Sequence, residues 1–189
     1  RGLAKRYGRG CPSCYALTGA DAVSNVYPRC RTVIACQGVS IDLYPKEVLG
    51  IVGESGSGKS TLIRLLHFDI EPSEGEFYLR IEDKATKKNI GTDFNGRNLV
   101  PLSPYQKRQI RNFAMGIVYQ HPHLGLRMNI SAGGNVAERL LMANWRNVAD
   151  MRERAGELLQ KTEVPVSRLD EAPRNFSGGM QQRVQIAKA

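Results

Sequence analysis

Residues 53–61 read Gly53-Glu54-Ser55-Gly56-Ser57-Gly58-Lys59-Ser60-Thr61, and no other stretch restricts the fold of this chain so tightly. Glycines at 53, 56 and 58 let the backbone curl so that successive N–H groups point inward, a conformation closed to most side chains. The run before the turn, 48–52, is short and β-branched and predicts a buried parallel strand. Residues 59–67 predict a helix. Strand, glycine turn and helix N-terminus in that order fit G-x4-G-K-[ST], a phosphate cradle. The helix terminus brings partial positive charge, Lys59 a full one, and the Ser60 hydroxyl a ligand for Mg²⁺. Charge-assisted bonds of roughly 1.5–3 kcal/mol each let such a turn hold a nucleoside triphosphate. The fold class is therefore α/β.

The chain has 189 residues, 41% hydrophobic and 24% charged, which suits one globular domain and excludes a disordered tail, a collagen or a coiled coil. Its net charge of +9 implies an anionic partner. Nucleotide, nucleic acid, phospholipid head group and acidic protein all qualify, and the phosphate cradle favours the nucleotide over nucleic acid. No apolar run approaches the ~18 residues of a membrane helix. The chain opens on Arg1 with no apolar segment behind it, so a cytoplasmic protein without a secretory signal is expected. Cys11, Cys14, Cys30 and Cys36 all lie near the start, which argues for a reducing compartment. Their spacing, C-x2-C followed by C-x5-C, leaves two readings open: a structural zinc site, or unligated thiols.

Along the chain we expect strands at 3–7, 39–43, 48–52, 76–81 and 115–120, the first two separated by a cysteine-bearing insertion. Residues 82–100 are polar and basic and read as a surface excursion. Ser103-Pro104-Tyr105-Gln106 has the form of a capping box, with a basic helix running to about Asn112. Helices are expected at 135–145 and 148–161. In the second, Met151, Ala155, Leu158 and Leu159 share one face at core spacing. His121 and His123 flank a proline and read as polar contacts on a turn, and Trp145 as a packing residue.

Downstream, Phe176-Ser177-Gly178-Gly179-Met180-Gln181-Gln182-Arg183 opens a last helix, and between the two glycine motifs lies Gly116-Ile117-Val118-Tyr119-Gln120. With the phosphate cradle, these runs resemble ABC-type ATPases. Phe176 stands where the LSGGQ signature has Leu, and Met180 where it has Gln. The resemblance implies a P-loop NTPase of ABC type, a mixed-sheet core plus a helical subdomain. Residues 1–38 would be an N-terminal strand with the insertion, 39–120 the nucleotide-binding core, 121–176 the helical subdomain and 177–189 the signature helix. It further implies ATP and Mg²⁺ as ligands, with Lys59 and Gln120 in catalysis and Ser60 and Gln120 on the metal. Residues 53–61 would hold the phosphates, with Tyr7 stacked on adenine. Ser177, Gly178, Gly179, Met180 and Gln181 would close over the γ-phosphate of a twin subunit in a head-to-tail homodimer or pseudo-dimer.

The run Gln120-His121-Pro122-His123-Leu124-Gly125-Leu126-Arg127, with residues 131–140, is most similar to the ATP-binding subunits of carbon–phosphorus lyase (phosphonate) systems. Those imply a soluble lyase core complex as partner. Oligopeptide importer ATPases come next and imply a membrane permease. A zinc-bearing nucleic-acid or scaffold module is the alternative from a different class.

The family also needs a hydrophobic strand ending in Asp, a catalytic Glu and a γ-phosphate-sensing His after the signature helix. Asp83 and Asp93 sit in polar contexts and do not replace them. The expectation is a C-terminally truncated piece, inactive alone, with exposed apolar surface and poor solubility.

Overall fold

A β-branched, aromatic-edged segment becomes a strand only where a neighbour completes its ladder. In the computed structural model, which describes residues 1–11, 13, 17, 18, 24–91 and 93–189, that condition is met once. Strand β1, Leu3–Tyr7, pairs antiparallel with β2, Val33–Val39, in the register Leu3 to Val39 and Tyr7 to Val33, with irregularities around Lys5. The second strand was expected at 39–43. It ends instead at Val39, because the Gly2 N–H bonds the Ser40 hydroxyl (2.9 Å) and no further ladder partner follows.

The helices are α1 (Lys59–Leu66), α2 (Lys84–Ile90), α3 (Pro104–Ala114), α4 (Ala132–Met142), α5 (Val148–Lys161) and α6 (Gly178–Lys188). Their contacts divide the chain into two units, Arg1–Lys87 with Thr92–Lys107, and Lys88–Gly91 with Arg108–Ala189.

In the first unit, Leu62 and Leu65 of α1 are buried, as are Leu3, Ala4, Ile34, Phe94 and Leu99. The 48–52 run is a correction to the sequence reading. No described residue ladders with it, and Val48 and Val52 are 95% and 93% exposed. Propensity alone does not make a strand. The 76–81 run is also not a strand. Its backbone is served by side chains and by backbone groups distant in sequence: Phe77 N–H donates to Asn98 Oδ1, Ile81 N–H to Asn95 Oδ1, Leu99 N–H to the Phe77 carbonyl, and Glu76 exchanges bonds with Arg1. Within the supposed excursion, Asp83 opens α2 by accepting the Thr86 N–H at 2.6 Å, a helix the sequence reading did not expect. The capping box forms reciprocally: Gln106 N–H donates to Ser103 Oγ, and Ser103 N–H to Gln106 Oε1. Lys107 is buried and holds both Glu71 carboxylate oxygens at 2.7 and 2.8 Å.

The second unit is a helical core of Leu126, Ala132, Val136, Ala155, Leu159, Val164, Leu169, Phe176, Val184 and Ala187. Helix α4 starts three residues earlier than expected, because Ser131 caps it through the Gly134 N–H. Helix α5 matches its expected span, capped by Asn147. Residues 115–120 are a further correction. They form no strand; the Met115 carbonyl accepts from Arg139, and those of Tyr119 and Gln120 from Gln182.

Candidate functional site

The glycine turn folds as the sequence requires. Gly53, Gly56 and Gly58 have φ of 154°, 83° and 90°; the last two lie squarely in the left-handed region. Gly58 is doubly constrained, since a Cβ there would sit 2.0 Å from the Ala35 carbonyl oxygen of β2. Gly58 is also the N-cap of α1, which has no side-chain cap and no acid in its first turn. Its leading N–H groups are therefore left for an acceptor from outside the helix, and the local field favours an anion. Lys59 reaches back over the turn, donating to the carbonyls of Gly53 (2.8 Å) and Glu54 (2.6 Å), with Ser57 Oγ at 3.4 Å. Asn25, which sequence reasoning missed, donates to the Gly56 carbonyl at 3.4 Å. Ser55 and Ser60 are exposed, and Thr61 is half-buried. Uncapped donors, one flexible cation and exposed hydroxyls are the donor set a polyphosphate with Mg²⁺ requires, so these residues fit that pair of ligands.

Tyr7 ends β1 at 44% exposure with the Lys5 ammonium 5.2 Å from its ring centroid. Its ring is thus accessible for stacking.

In the second unit, Ser177 caps α6 by accepting the Met180 N–H, while Gly178 and Gly179 are exposed and have open space where a Cβ would stand. Phe176 is buried beneath them with the Arg168 guanidinium 4.4 Å from its ring. Gln181 turns inward and donates to the carbonyls of Pro173 and Phe176 (2.9 and 3.1 Å), so it fixes the approach to the cap. Gln120 is exposed, and its carbonyl accepts from Gln182 at 2.7 Å. The histidine rings at 121 and 123 stack 5.7 Å apart around Pro122.

The zinc expectation is corrected. Among the described residues no three His, Cys, Asp or Glu side chains converge as metal ligands. Cys11 and Cys30 pack against Tyr27 and Ile34, the Cys30 thiol donates to Thr32 Oγ1, and burial pushes the Cys36 thiol up despite Lys5 nearby. Cys11 and Cys30 thus serve as packing side chains. Cys14 lies outside the described residues. Asp83 and Asp93 also have structural work. Asp83 caps α2, and its bonds to Thr86 hold its carboxyl below the usual range; Asp93 accepts the Asn95 N–H and faces Lys87.

The family model described as ABC transporter matches residues 36–189. The chain is similar to PhnK of Escherichia coli K12, named for phosphonates utilization and ATP binding, at 43% identity over 150 residues, 79% of this chain and 54% of that protein. It is also similar to a peptide import ATP-binding protein of Brucella abortus (34% over 174 residues, 88% and 49% of the two chains). OppD of Bacillus subtilis, an oligopeptide transport ATP-binding protein, is 35% identical over 159 residues, 83% of this chain and 42% of that protein. Among solved structures, the ATP-binding cassette MJ0796, a dimer in a post-hydrolysis state with ADP and Pi, superposes with a TM-score of 0.73 at 25% identity, over all of this chain and 66% of that one. The chain spans about half the length of the curated relatives it matches.

Proposed function

This chain belongs to the ABC transporter family, and from that premise we propose that it is the ATP-binding part of an ATPase subunit serving a phosphonate carbon–phosphorus lyase system. The observation that carries the reading is the cradle itself: an uncapped helix N-terminus behind Gly58 with the Lys59 ammonium folded over it. Residues 53–61 bind the phosphates, Lys59 neutralises charge on the transferred group, and Tyr7 stacks on the base. Ser60 and Gln120 would be the residues that hold Mg²⁺, which would supply charge neutralisation for phosphoryl transfer. Gln120 orients the attacking water. Ser177, Gly178, Gly179, Met180 and Gln181 meet the nucleotide of a twin subunit. The solved relative is dimeric, which supports a dimer here. Residues 39–120 act as nucleotide-binding core, 121–176 as helical subdomain and 177–189 as signature helix.

The 43%-identical relative named for phosphonates utilization supports this reading; under it the partner is a soluble core complex and the location cytoplasmic. Peptide-import relatives at 34–35% identity favour a second reading, coupling to a membrane permease. No helix among the described residues is long and apolar enough to cross a membrane.

Lys59→Ala in the full-length protein tests the site. Losing one charge-assisted contact weakens ATP binding by about 10- to 150-fold and abolishes turnover. Unchanged turnover refutes the site. Affinity capture then separates the partners: a soluble lyase core supports the first reading, membrane subunits the second.

A further inference from the structure

Arg168 closes a single 3₁₀ turn, Val166–Arg168, and its guanidinium makes three kinds of contact. Its Nε and Nη2 donate to the two Glu171 carboxylate oxygens at 3.0 and 2.7 Å. Its central carbon lies over the buried Phe176 ring, 4.4 Å from the centroid. Its Nη1 donates to the Met180 sulfur at 3.3 Å. The segment that carries Arg168 and Glu171 is fixed to the start of α4. The Gly133 N–H donates to the Leu169 carbonyl and the Ala132 N–H to the Glu171 carbonyl, both at 2.8 Å. Phe176 and Met180 stand on either side of Ser177-Gly178-Gly179, and they are the two positions where this chain departs from LSGGQ.

We propose that Arg168 is a positioning residue for the Ser177-Gly178-Gly179 turn. One planar side chain grips the turn at both ends, with its cation on the ring before it and a weak bond to the thioether after it. Leucine at 176 offers no ring face, so this support belongs to the Phe-and-Met form of the motif. The two-pronged pairing orients the guanidinium and holds the Glu171 carboxyl below its usual range, so both partners stay charged through neutral pH. This role rests on the reading of the turn as the element that meets a twin subunit's nucleotide.

The experiment places Arg168→Met in the full-length protein, alone and combined with Phe176→Leu. It measures steady-state ATP turnover, ATP affinity by titration, and amide hydrogen exchange. Methionine keeps the packing over Phe176 and removes the charge and the fork. The amides of Met180 and Gln181, which bond the Ser177 hydroxyl and carbonyl, report the turn. With Arg168→Met, kcat falls about fivefold and exchange at 180 and 181 speeds about fivefold, the effect of losing one cation–ring contact at a partly exposed site. ATP affinity stays within about twofold, because residues 53–61 are untouched, and exchange in α5 is unchanged. In the Phe176→Leu background the same substitution changes kcat less than about twofold. A parental kcat for Arg168→Met overturns the proposal. So does an equal loss in the two backgrounds, which removes the coupling to Phe176, or a loss of α5 protection alongside that at 180 and 181, which marks a merely structural role. Gly178→Asp, run in parallel, separates the two ideas. Gly178 is exposed with open space where a Cβ would stand, so the variant folds, and the added carboxylate repels a phosphate there. If it turns over ATP at the parental rate, the reading of the turn fails, while the exchange data decide whether Arg168 holds it.

Discussion

Asn135 offers a sharp test of how the second unit is held together. It is fully buried in α4. Its Oδ1 accepts the Arg127 N–H at 2.8 Å, and its Nδ2 faces the carbonyls of Arg127, Ile130 and Ser131 at 3.0, 3.0 and 3.1 Å. An amide has two N–H groups, so about three bonds act at once. At ~1 kcal/mol net each, with buried partners orphaned on truncation, Asn135→Ala costs about 3–4 kcal/mol. Urea unfolding followed by the fluorescence of Trp145, the only tryptophan and part of this unit, reads the loss directly. With m of roughly 1–3 kcal/mol/M, the midpoint falls by about 1–4 M. Asn135→Asp keeps the acceptor but turns a charged oxygen toward three carbonyls, so at neutral pH it is worse than Ala. Those carbonyls favour the protonated form, which regains one donor. The Asp variant therefore recovers stability as pH falls, opposite to the usual carboxylate trend. A midpoint shift for Ala equivalent to less than ~0.5 kcal/mol, or an Asp variant no worse than Ala at neutral pH, refutes the reasoning.

Gly58→Ala adds a Cβ where φ is 90° and the Ala35 carbonyl is 2.0 Å away, so the turn must shift; ATP affinity measured by titration drops at least tenfold at a cost of about 2–4 kcal/mol. Gln185 is buried and, among the described residues, neither amide atom has a hydrogen-bond partner, so Gln185→Leu raises the Trp145-monitored midpoint by the equivalent of about 1 kcal/mol; a lowered midpoint shows that the amide is bonded in solution. Burial pushes the Glu138 carboxyl up, but Lys188 and Arg127, at 2.8 and 2.7 Å, outweigh it and hold it below its ordinary range. A depressed carboxyl contributes fully above its unfolded pKa of ~4.3 and loses that contribution as pH falls through the folded value. The stability gap between parent and Glu138→Gln is therefore flat from about pH 6 to 8 and closes below ~4.3; a gap that widens in acid refutes the pairing.

What could be read in advance was local. The turn at 53–61, the box at Ser103 and Gln106, and the opening of the last helix after Ser177 are set by a few neighbouring residues, and each forms where the pattern places it. The runs at 48–52, 76–81 and 115–120 carry the right residues for strands but depend on lateral partners, which a one-dimensional pattern does not supply. Asn95 and Asn98 substituting for a ladder at 76–81 could not be inferred from spacing. The same holds at the site. Gln182 lies inside a recognisable motif, yet its bond to residue 120, 62 positions away in sequence, has no local signal. The cysteine spacing left a metal site and unligated thiols both open, and among the described residues Cys11 and Cys30 pack against Tyr27 and Ile34.

Lys59 rests on peptide oxygens before any ligand arrives. On binding, the cation trades one set of oxygens for another, so its contribution to affinity is a difference and not a full charge–charge attraction. A singly charged metabolite barely exceeds two carbonyl dipoles. A terminal phosphate bearing close to ~2 negative charges surpasses them easily. The turn thereby sorts anions by charge density before shape is consulted, and neutral or weakly charged molecules leave it closed upon itself.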